Sequence, residues 1–269
     1  KITKTKIIWA PLSALRFLPI SHRDPLGSGR ASQKRNIVYQ INISHHFRIQ
    51  KQMNQSENLH DKRKIYDKSQ LIETEIKENP IEQFRNWFLD AEENPQVFEA
   101  NAMAISTVEE DGCPRTRMVL LKSYNWEGFI FYTNYESRKG KSIETTHKAC
   151  LHFFWPSLER QIIIKANVEK IAENLSDGYF HSRPKGSQLG AMVSPQSQEI
   201  PDRSFLENKL KDLESEFENK EIPRPKNWGG YIAKPYEIEF WQGRPNRLHD
   251  RIIYTLTEDF DWKIARLAP

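Results

Sequence analysis

Tyr236-Glu237-Ile238-Glu239-Phe240-Trp241-Gln242, the break Gly243-Arg244-Pro245-Asn246, and then Arg247-Leu248-His249-Asp250-Arg251 form the stretch on which the fold turns. The first part alternates as a half-buried strand does. The break reads as a hairpin turn. The spacing predicts a return strand over 247–256, with Arg247, His249 and Arg251 at i, i+2 and i+4 on one face. Two guanidiniums and an imidazole on one face suit an anionic, planar, hydrogen-bonding ligand. Taken alone, the pattern fits a solvated face better, with Arg247 and Arg251 paired to Asp250 or Glu239. The nearby Trp241 and the motifs upstream reverse that preference.

Outward from this hairpin the chain reads as antiparallel β with inserted helices. Strands are predicted at 102–108, 114–122, 129–133, 149–155, 160–171, 228–234, 236–242, 247–256 and 262–267. Asn79-Pro80 starts a helix carrying Ile81, Phe84, Phe88 and Ala91 to about Asn94. Ser137 caps a short helix through Thr146, and further helices are expected at 174–182, 187–193 and 202–219. Leu206, Leu210, Leu213 and Phe217 make one apolar stripe on the last of these, which reads as core packing. There is no βαβ repetition, GxGxxG, P-loop or internal repeat. A small β-barrel with peripheral helices, mainly β in an α+β arrangement, fits best.

With 269 residues, 38% hydrophobic and 11% aromatic, the chain can build a sizeable core. No apolar run approaches the ~20 residues of a membrane span. Cys113 and Cys150 make neither a disulfide framework nor a metal site, Cys150 reads as a small core residue, and a reducing cytosol is the natural compartment. The net charge of +4 is uneven. Residues 1–52 hold ten Lys/Arg against Asp24, a net of +9, and the remainder carries −5. The main domain therefore gains no support for nucleic-acid binding. The basic segment resembles a transit peptide or sequence translated upstream of a start at Met53, with the second reading preferred. The expected divisions are this segment at 1–52, an N-terminal arm or lid at 53–79, and the main domain at 80–269.

Three motifs upstream could reach a ligand, the last two of them suited to phosphate. Arg117-Met118-Val119-Leu120-Leu121-Lys122 is a strand with charge at both ends. Ser137-Arg138-Lys139 opens a helix, where the dipole and free N–H groups favour an anion. Tyr179 and Arg183 stand four apart on a helix and Ser187 follows at a new helix start. Each motif alone also reads as an exposed strand or helix end. Two phosphate-suited clusters point to two phosphorylated ligands, and Trp241 with Gln161 to a flat heteroaromatic, as FMN plus a phosphorylated substrate would require.

These residues closely resemble the pyridoxamine 5′-phosphate oxidase family. The resemblance rests on Ile238 to Gln242, Arg247 to Arg251, Arg117 to Lys122, Tyr132-Thr133, Ser137 to Lys139 and Leu158-Glu159-Arg160-Gln161. It continues through Tyr179 to Ser187, Gln196-Ser197 and the terminal Arg266 to Pro269, and covers about residue 60 onward. It implies an antiparallel, Greek-key-type split β-barrel that binds FMN at a homodimer interface. Implied FMN contacts are Arg117, Met118, Val119, Leu120, Leu121, Lys122, Tyr132, Thr133, Arg138, Lys139, Gln161, Gln196, Ser197, Trp241 and Arg251, some from the partner chain. The substrate phosphate is implied at Lys122, Tyr179, Arg183 and Ser187, and its reacting end near Arg247, Leu248 and His249, with Arg247 and His249 as the catalytic pair. Arg63-Lys64-Ile65-Tyr66 resembles the family's Arg-x-x-Tyr lid, with its middle residues departing from the commoner pattern. The implied reaction oxidises pyridoxamine or pyridoxine 5′-phosphate to the aldehyde with O₂, without metal, nucleic acid or membrane. The alternatives are a related split-barrel flavoprotein with another substrate, and a non-catalytic binder of flavin or nucleic acid.

Overall fold

The computed structural model describes residues 59–269, and the expectations for residues 1–52 and for a start at Met53 lie outside them. The contact network divides the chain between Arg63 and Lys64. Residues Lys64–Pro269 form one compact unit.

That unit is a nine-stranded, wholly antiparallel sheet with helices at its periphery, a half-barrel of the split-barrel type. In chain order its strands are β1 (Ala102–Val108), β2 (Pro114–Leu120), β3 (Ser123–Asn125), β4 (Gly128–Asn134), β5 (Lys148–Trp155), β6 (Arg160–Lys170), β7 (Trp228–Gln242), β8 (Asp250–Leu256) and β9 (Trp262–Arg266). The main path runs β2-β1-β5-β6-β7-β4-β3, and β8 joins β7 to β9. The helices are α1 (Pro80–Glu93), α2 (Arg138–Thr146), α3 (Glu173–Ser182), α4 (Lys185–Val193) and α5 (Arg203–Glu216).

The expected strands 228–234 and 236–242 are a single strand, β7. Its first half pairs with β4 and its second with β8, while β6 runs beside both. The change of neighbour coincides with a register shift, where Lys165 faces Glu237 and Ala166 faces Pro235. Proline lacks a ladder N–H and is tolerated at such a bulge. The bulge bends the strand, so one strand serves both parts of the half-barrel.

α1 shows why this sheet closes. Asn79 Oδ1 accepts from the Ile81 N–H at 2.8 Å, and Pro80 occupies the first turn. Phe84, Trp87, Phe88 and Ala91 then lie buried along one face. Phe84 meets Phe129 and Phe153 edge-on at 4.8 and 5.2 Å, filling the space over β4 and β5. Each such aromatic contributes roughly 1.5–3 kcal/mol by burial.

A second, smaller core lies under the later helices, where Phe180, Leu189, Phe217, Ile222 and Trp228 are buried and Leu210 and Leu213 pack on them. This bears out most of the expected stripe; Leu206 is half-buried outside that cluster. Cys150 is half-buried instead of core, and burial pushes its thiol up.

Candidate functional site

Cationic side chains gather at the end of the sheet where β2, β4 and α2 meet. Ser137 caps α2 by accepting from the Gly140 N–H at 3.3 Å, while its own hydroxyl donates to Asn134 O at 2.6 Å. Gly140 is required, because a Cβ there would run into the Tyr135 carbonyl. This cap aims Lys139 inward. Its Nζ donates to Gln196 Oε1 at 2.9 Å, Thr133 Oγ1 at 3.1 Å and Ser137 Oγ at 3.3 Å. Burial first, and then the nearby Arg117, push the Lys139 ammonium down to about 8. Arg117 donates to Thr107 Oγ1 at 2.7 Å and Ile105 O at 3.4 Å, and its buried Nη2 has no hydrogen-bond partner. Among the described residues, the hydrogen-bond partners of both cations are neutral oxygens.

The neighbouring cleft, of about 280 Å³, is lined by Asn134, Arg183, Ser187, Gln196 and Trp228, among others. The Arg183 guanidinium lies over the Trp228 ring at 4.6 Å, and its buried Nη1 has no hydrogen-bond partner. Burial lowers its pKa. Tyr179 stacks on Tyr132 at 3.9 Å. The expected i, i+4 pairing of Tyr179 with Arg183 fails, because α3 ends at Ser182 and Arg183 is extended. Trp228 instead brings them together, stacking with Tyr179 at 6.2 Å. Ser187 lies inside the first turn of α4, which starts at Lys185 and not at Ser187.

The hairpin departs most from expectation. β8 begins at Asp250, and Pro245–Arg247 forms a 3-10 turn with Asn246 and Arg247 at φ 57° and 62°. Arg247, His249 and Arg251 therefore do not share a strand face. Arg247 and Leu248 are exposed in the loop. His249 folds its ring to 4.7 Å from Trp241, and its Nδ1 accepts from the Arg244 N–H at 3.0 Å. In the neutral ring the proton therefore sits on Nε2. Burial, then Arg247, lowers the His249 pKa and favours that neutral form. Arg251 takes the pairing weighed from the sequence, donating to both Glu239 oxygens at 2.8 and 3.0 Å and to Ala268 O. In the ladder Trp241 faces Arg251 and Glu239 faces Ile253, which sets Glu239 and Arg251 diagonally on one face.

The remaining expected residues divide. Val119 and Leu120 are half-buried and Met118 is 64% exposed. Leu121 is core, with N–H and C=O both bonded to Asn101, so its side chain supports the fold instead of lining a ligand. Lys122 lies past the end of β2 and is exposed. Arg138 is exposed at the start of α2. Gln161 Oε1 lies 3.0 Å from His152 Nε2, and Ser197 has φ 74°. Arg63 Nε donates to His60 O. Lys64 pairs with Glu159 at 3.3 Å, Ile65 is exposed, and Tyr66 stands edge-on to Trp241 at 5.8 Å. Sequence reasoning missed Trp228, Arg244, and the structural work of Asp250, whose carboxylate holds Leu71 N–H and Arg266. Trp228 carried no local signal, since its role is to bridge elements remote in sequence.

Two groups therefore exist, one around Lys139, Arg117 and Arg183 and one around Trp241 and His249. Trp228 and Trp241 stand at opposite ends of the bent β7, thirteen residues apart, a path of roughly 40 Å measured along the strand.

Among the described residues no group of His, Cys, Asp and Glu could hold a metal, and no helix is long and apolar enough to cross a membrane. Residues 89–216 match the family described as pyridoxamine 5′-phosphate oxidase, and residues 228–269 the pyridoxine 5′-phosphate oxidase C-terminal dimerisation region. A pyridoxine/pyridoxamine 5′-phosphate oxidase of Flavobacterium psychrophilum is 62% identical, the alignment covering 77% of this chain and 97% of that protein. The oxidase of the same name from Leptospira interrogans is 49% identical over 77% of this chain and 96% of its own length. PhzG from Burkholderia lata 383, solved in complex with tetrahydrophenazine-1-carboxylic acid, superposes with a TM-score of 0.69 at 29% identity, covering 74% of this chain and 98% of its own. A pyridoxamine 5′-phosphate oxidase-related, FMN-binding protein of Nostoc punctiforme shares the fold, with a TM-score of 0.56 at 15% identity over 69% of this chain and 97% of its own. On the evidence of fold, motifs and these relatives, the chain belongs to the pyridoxine/pyridoxamine 5′-phosphate oxidase family.

Proposed function

We propose that this protein oxidises pyridoxamine 5′-phosphate and pyridoxine 5′-phosphate to pyridoxal 5′-phosphate, using FMN and O₂ and releasing H₂O₂, with ammonia from the amine. One observation carries the reading: Lys139 is a buried cation, and the half-buried Arg117 and Arg183 each keep a buried N–H without a partner. A buried N–H of a cation that finds no acceptor is unfavourable, and an anionic ligand supplies one. The donor set therefore fits phosphate groups. Arg117, Lys139, Thr133 and Gln196 would hold FMN, with Tyr132, Arg138 and Ser197 beside it, while Gln161, which faces Trp241 in the ladder, would meet it from the Trp241 side. Arg183, Tyr179, Ser187 and Lys122 would take the substrate phosphate.

FMN would supply the redox chemistry by accepting a hydride and passing the electrons to O₂. The chain supplies position and field. Arg247 stays protonated in water and is therefore a poor base, so it orients the substrate and stabilises charge. His249 presents its Nε2 proton as a hydrogen-bond donor, since Nδ1 is occupied. Trp241 and Arg251 would help hold FMN, with Glu239 fixing the Arg251 guanidinium.

A homodimer follows from this assignment. The cationic cleft and the Trp241–His249 group sit at opposite ends of β7, and on this reading a second chain would complete each site. The matched dimerisation region and an exposed apolar patch at Phe98, Met118 and Phe154 support that arrangement. The cytoplasm, with reduced Cys113 and Cys150, is the proposed compartment.

The test is reconstitution. Protein loaded with FMN should be yellow and dimeric, and should form aldehyde and peroxide from pyridoxamine 5′-phosphate in air. A yellow protein that leaves both vitamers unchanged would favour a split-barrel flavoprotein with another substrate. A colourless protein with no flavin affinity would overturn the cofactor assignment.

A further inference from the structure

We propose that Glu159 is a positioning residue that latches the segment 64–69 over the Trp241–His249 group. This rests on the reading of Tyr66 as part of the substrate lid. Glu159 sits in the β5–β6 turn at φ 57°, with its side chain 1% exposed. One carboxylate oxygen, Oε2, accepts from the backbone N–H groups of Asp67 at 2.9 Å and Lys68 at 3.2 Å. The other, Oε1, makes no hydrogen bond and meets the Lys64 ammonium at 3.3 Å. Its carbonyl accepts from Gly243 N–H at 2.8 Å and Gln242 Nε2 at 3.2 Å. One residue thus holds the segment with its side chain and the start of the hairpin loop with its backbone.

The consequence falls on Tyr66. Its ring lies 5.8 Å from Trp241 and 5.9 Å from His249, edge-on to both. Gly243 leaves the space, since a Cβ there would meet Tyr66 Cγ at 2.8 Å and Glu159 Cβ at 3.1 Å. A buried carboxylate accepting two backbone N–H groups is an unusual investment for an ordinary surface turn. Its geometry holds the segment in register against the two rings.

The test uses the FMN-loaded full chain and the variants Glu159→Gly and Glu159→Gln. Glycine suits the positive φ and removes the latch without straining the turn. Glutamine keeps an oxygen for the two N–H groups. Two readouts are taken: the rate of tryptic cleavage after Lys64 and Lys68, located by mass spectrometry, and KM against kcat for pyridoxamine 5′-phosphate. Glu159→Gly should raise both cleavage and KM about tenfold, or ~1.4 kcal/mol, with kcat within about threefold. Glu159→Gln should recover most of each. Unchanged cleavage in a folded, yellow Glu159→Gly would overturn the latch. Faster cleavage with unchanged KM would overturn its link to substrate, as would a fall in kcat alone. If the parent protein forms no aldehyde, the functional reading fails, while the cleavage comparison still decides the latch.

Discussion

Replacing Lys139 by methionine should stabilise the ligand-free protein and weaken FMN binding, two effects of opposite sign from one side chain. The drop from 10.5 to about 8 corresponds to about 3 kcal/mol against the charged form at pH 7. Partial access to solvent screens this, leaving roughly 1.5–2 kcal/mol. Methionine leaves no acceptor stranded: Thr133 still donates to Gln196, and Ser137 keeps Asn134 and Gly140. For a folded unit of this size the gain is a melting temperature higher by roughly 3–8 °C. The pH dependence has a definite sign. The folded pKa lies below the unfolded one, so between about 8 and 10.5 the unfolded chain binds more protons. Parent stability should therefore gain on the variant across that window, and the gap should close by its upper end. FMN should bind the variant roughly 10–100-fold more weakly, the loss of one charge-assisted hydrogen bond. Thermal melts of ligand-free protein at pH 7 and 10, with FMN titrations by fluorescence, measure all three. A variant that melts lower than the parent at pH 7, or binds FMN equally well, would refute the argument.

Arg183→Ala should raise KM for pyridoxamine 5′-phosphate roughly 10–100-fold with little change in FMN affinity; an unchanged KM removes Arg183 from the phosphate site. Arg247→Lys should keep FMN but slow the single-turnover loss of yellow absorbance, because a point charge cannot reproduce the planar fork; equal rates would refute an orienting role. Gly140→Ala should destabilise by roughly 1–3 kcal/mol or more, as its Cβ meets the Tyr135 carbonyl; a urea midpoint equal to the parent's would contradict this. Tyr254→Phe removes a buried hydroxyl that donates to Lys77 O at 2.7 Å, and calorimetry should show a loss of about 1 kcal/mol.

Local signals carried much of the fold. Asn79-Pro80 and Ser137 are caps, and a cap states where a helix starts within a few residues of itself. β1 runs over the predicted residues because alternation is a property of the strand alone. The spacing predicts two strands where β7 is one, because the missing N–H of Pro235 falls at a bulge where the neighbour changes from β4 to β8. Nothing local states which neighbours a strand will have.

The candidate site divides the same way. Residue types and spacing named Arg117, Lys139, Arg183, Trp241 and His249 and the anion chemistry they suit, because charge and hydrogen-bonding capacity belong to the side chain itself. Position did not follow from spacing. Asn246 and Arg247 at positive φ break the return strand, so Arg247, His249 and Arg251 leave a common face and Arg251 turns to Glu239. Trp228 joins Tyr179 to Arg183 from a distant strand. Glu159 accepts from the Asp67 N–H across ninety-two residues of sequence. Sequence alone therefore determined the chemistry available to this protein and its family. Tertiary structure decided which guanidiniums keep an unpartnered N–H, which cation is neutralised by a carboxylate, and that the Trp228 cleft and the Trp241–His249 group lie at opposite ends of one strand, because pairing and burial depend on neighbours brought together only by folding.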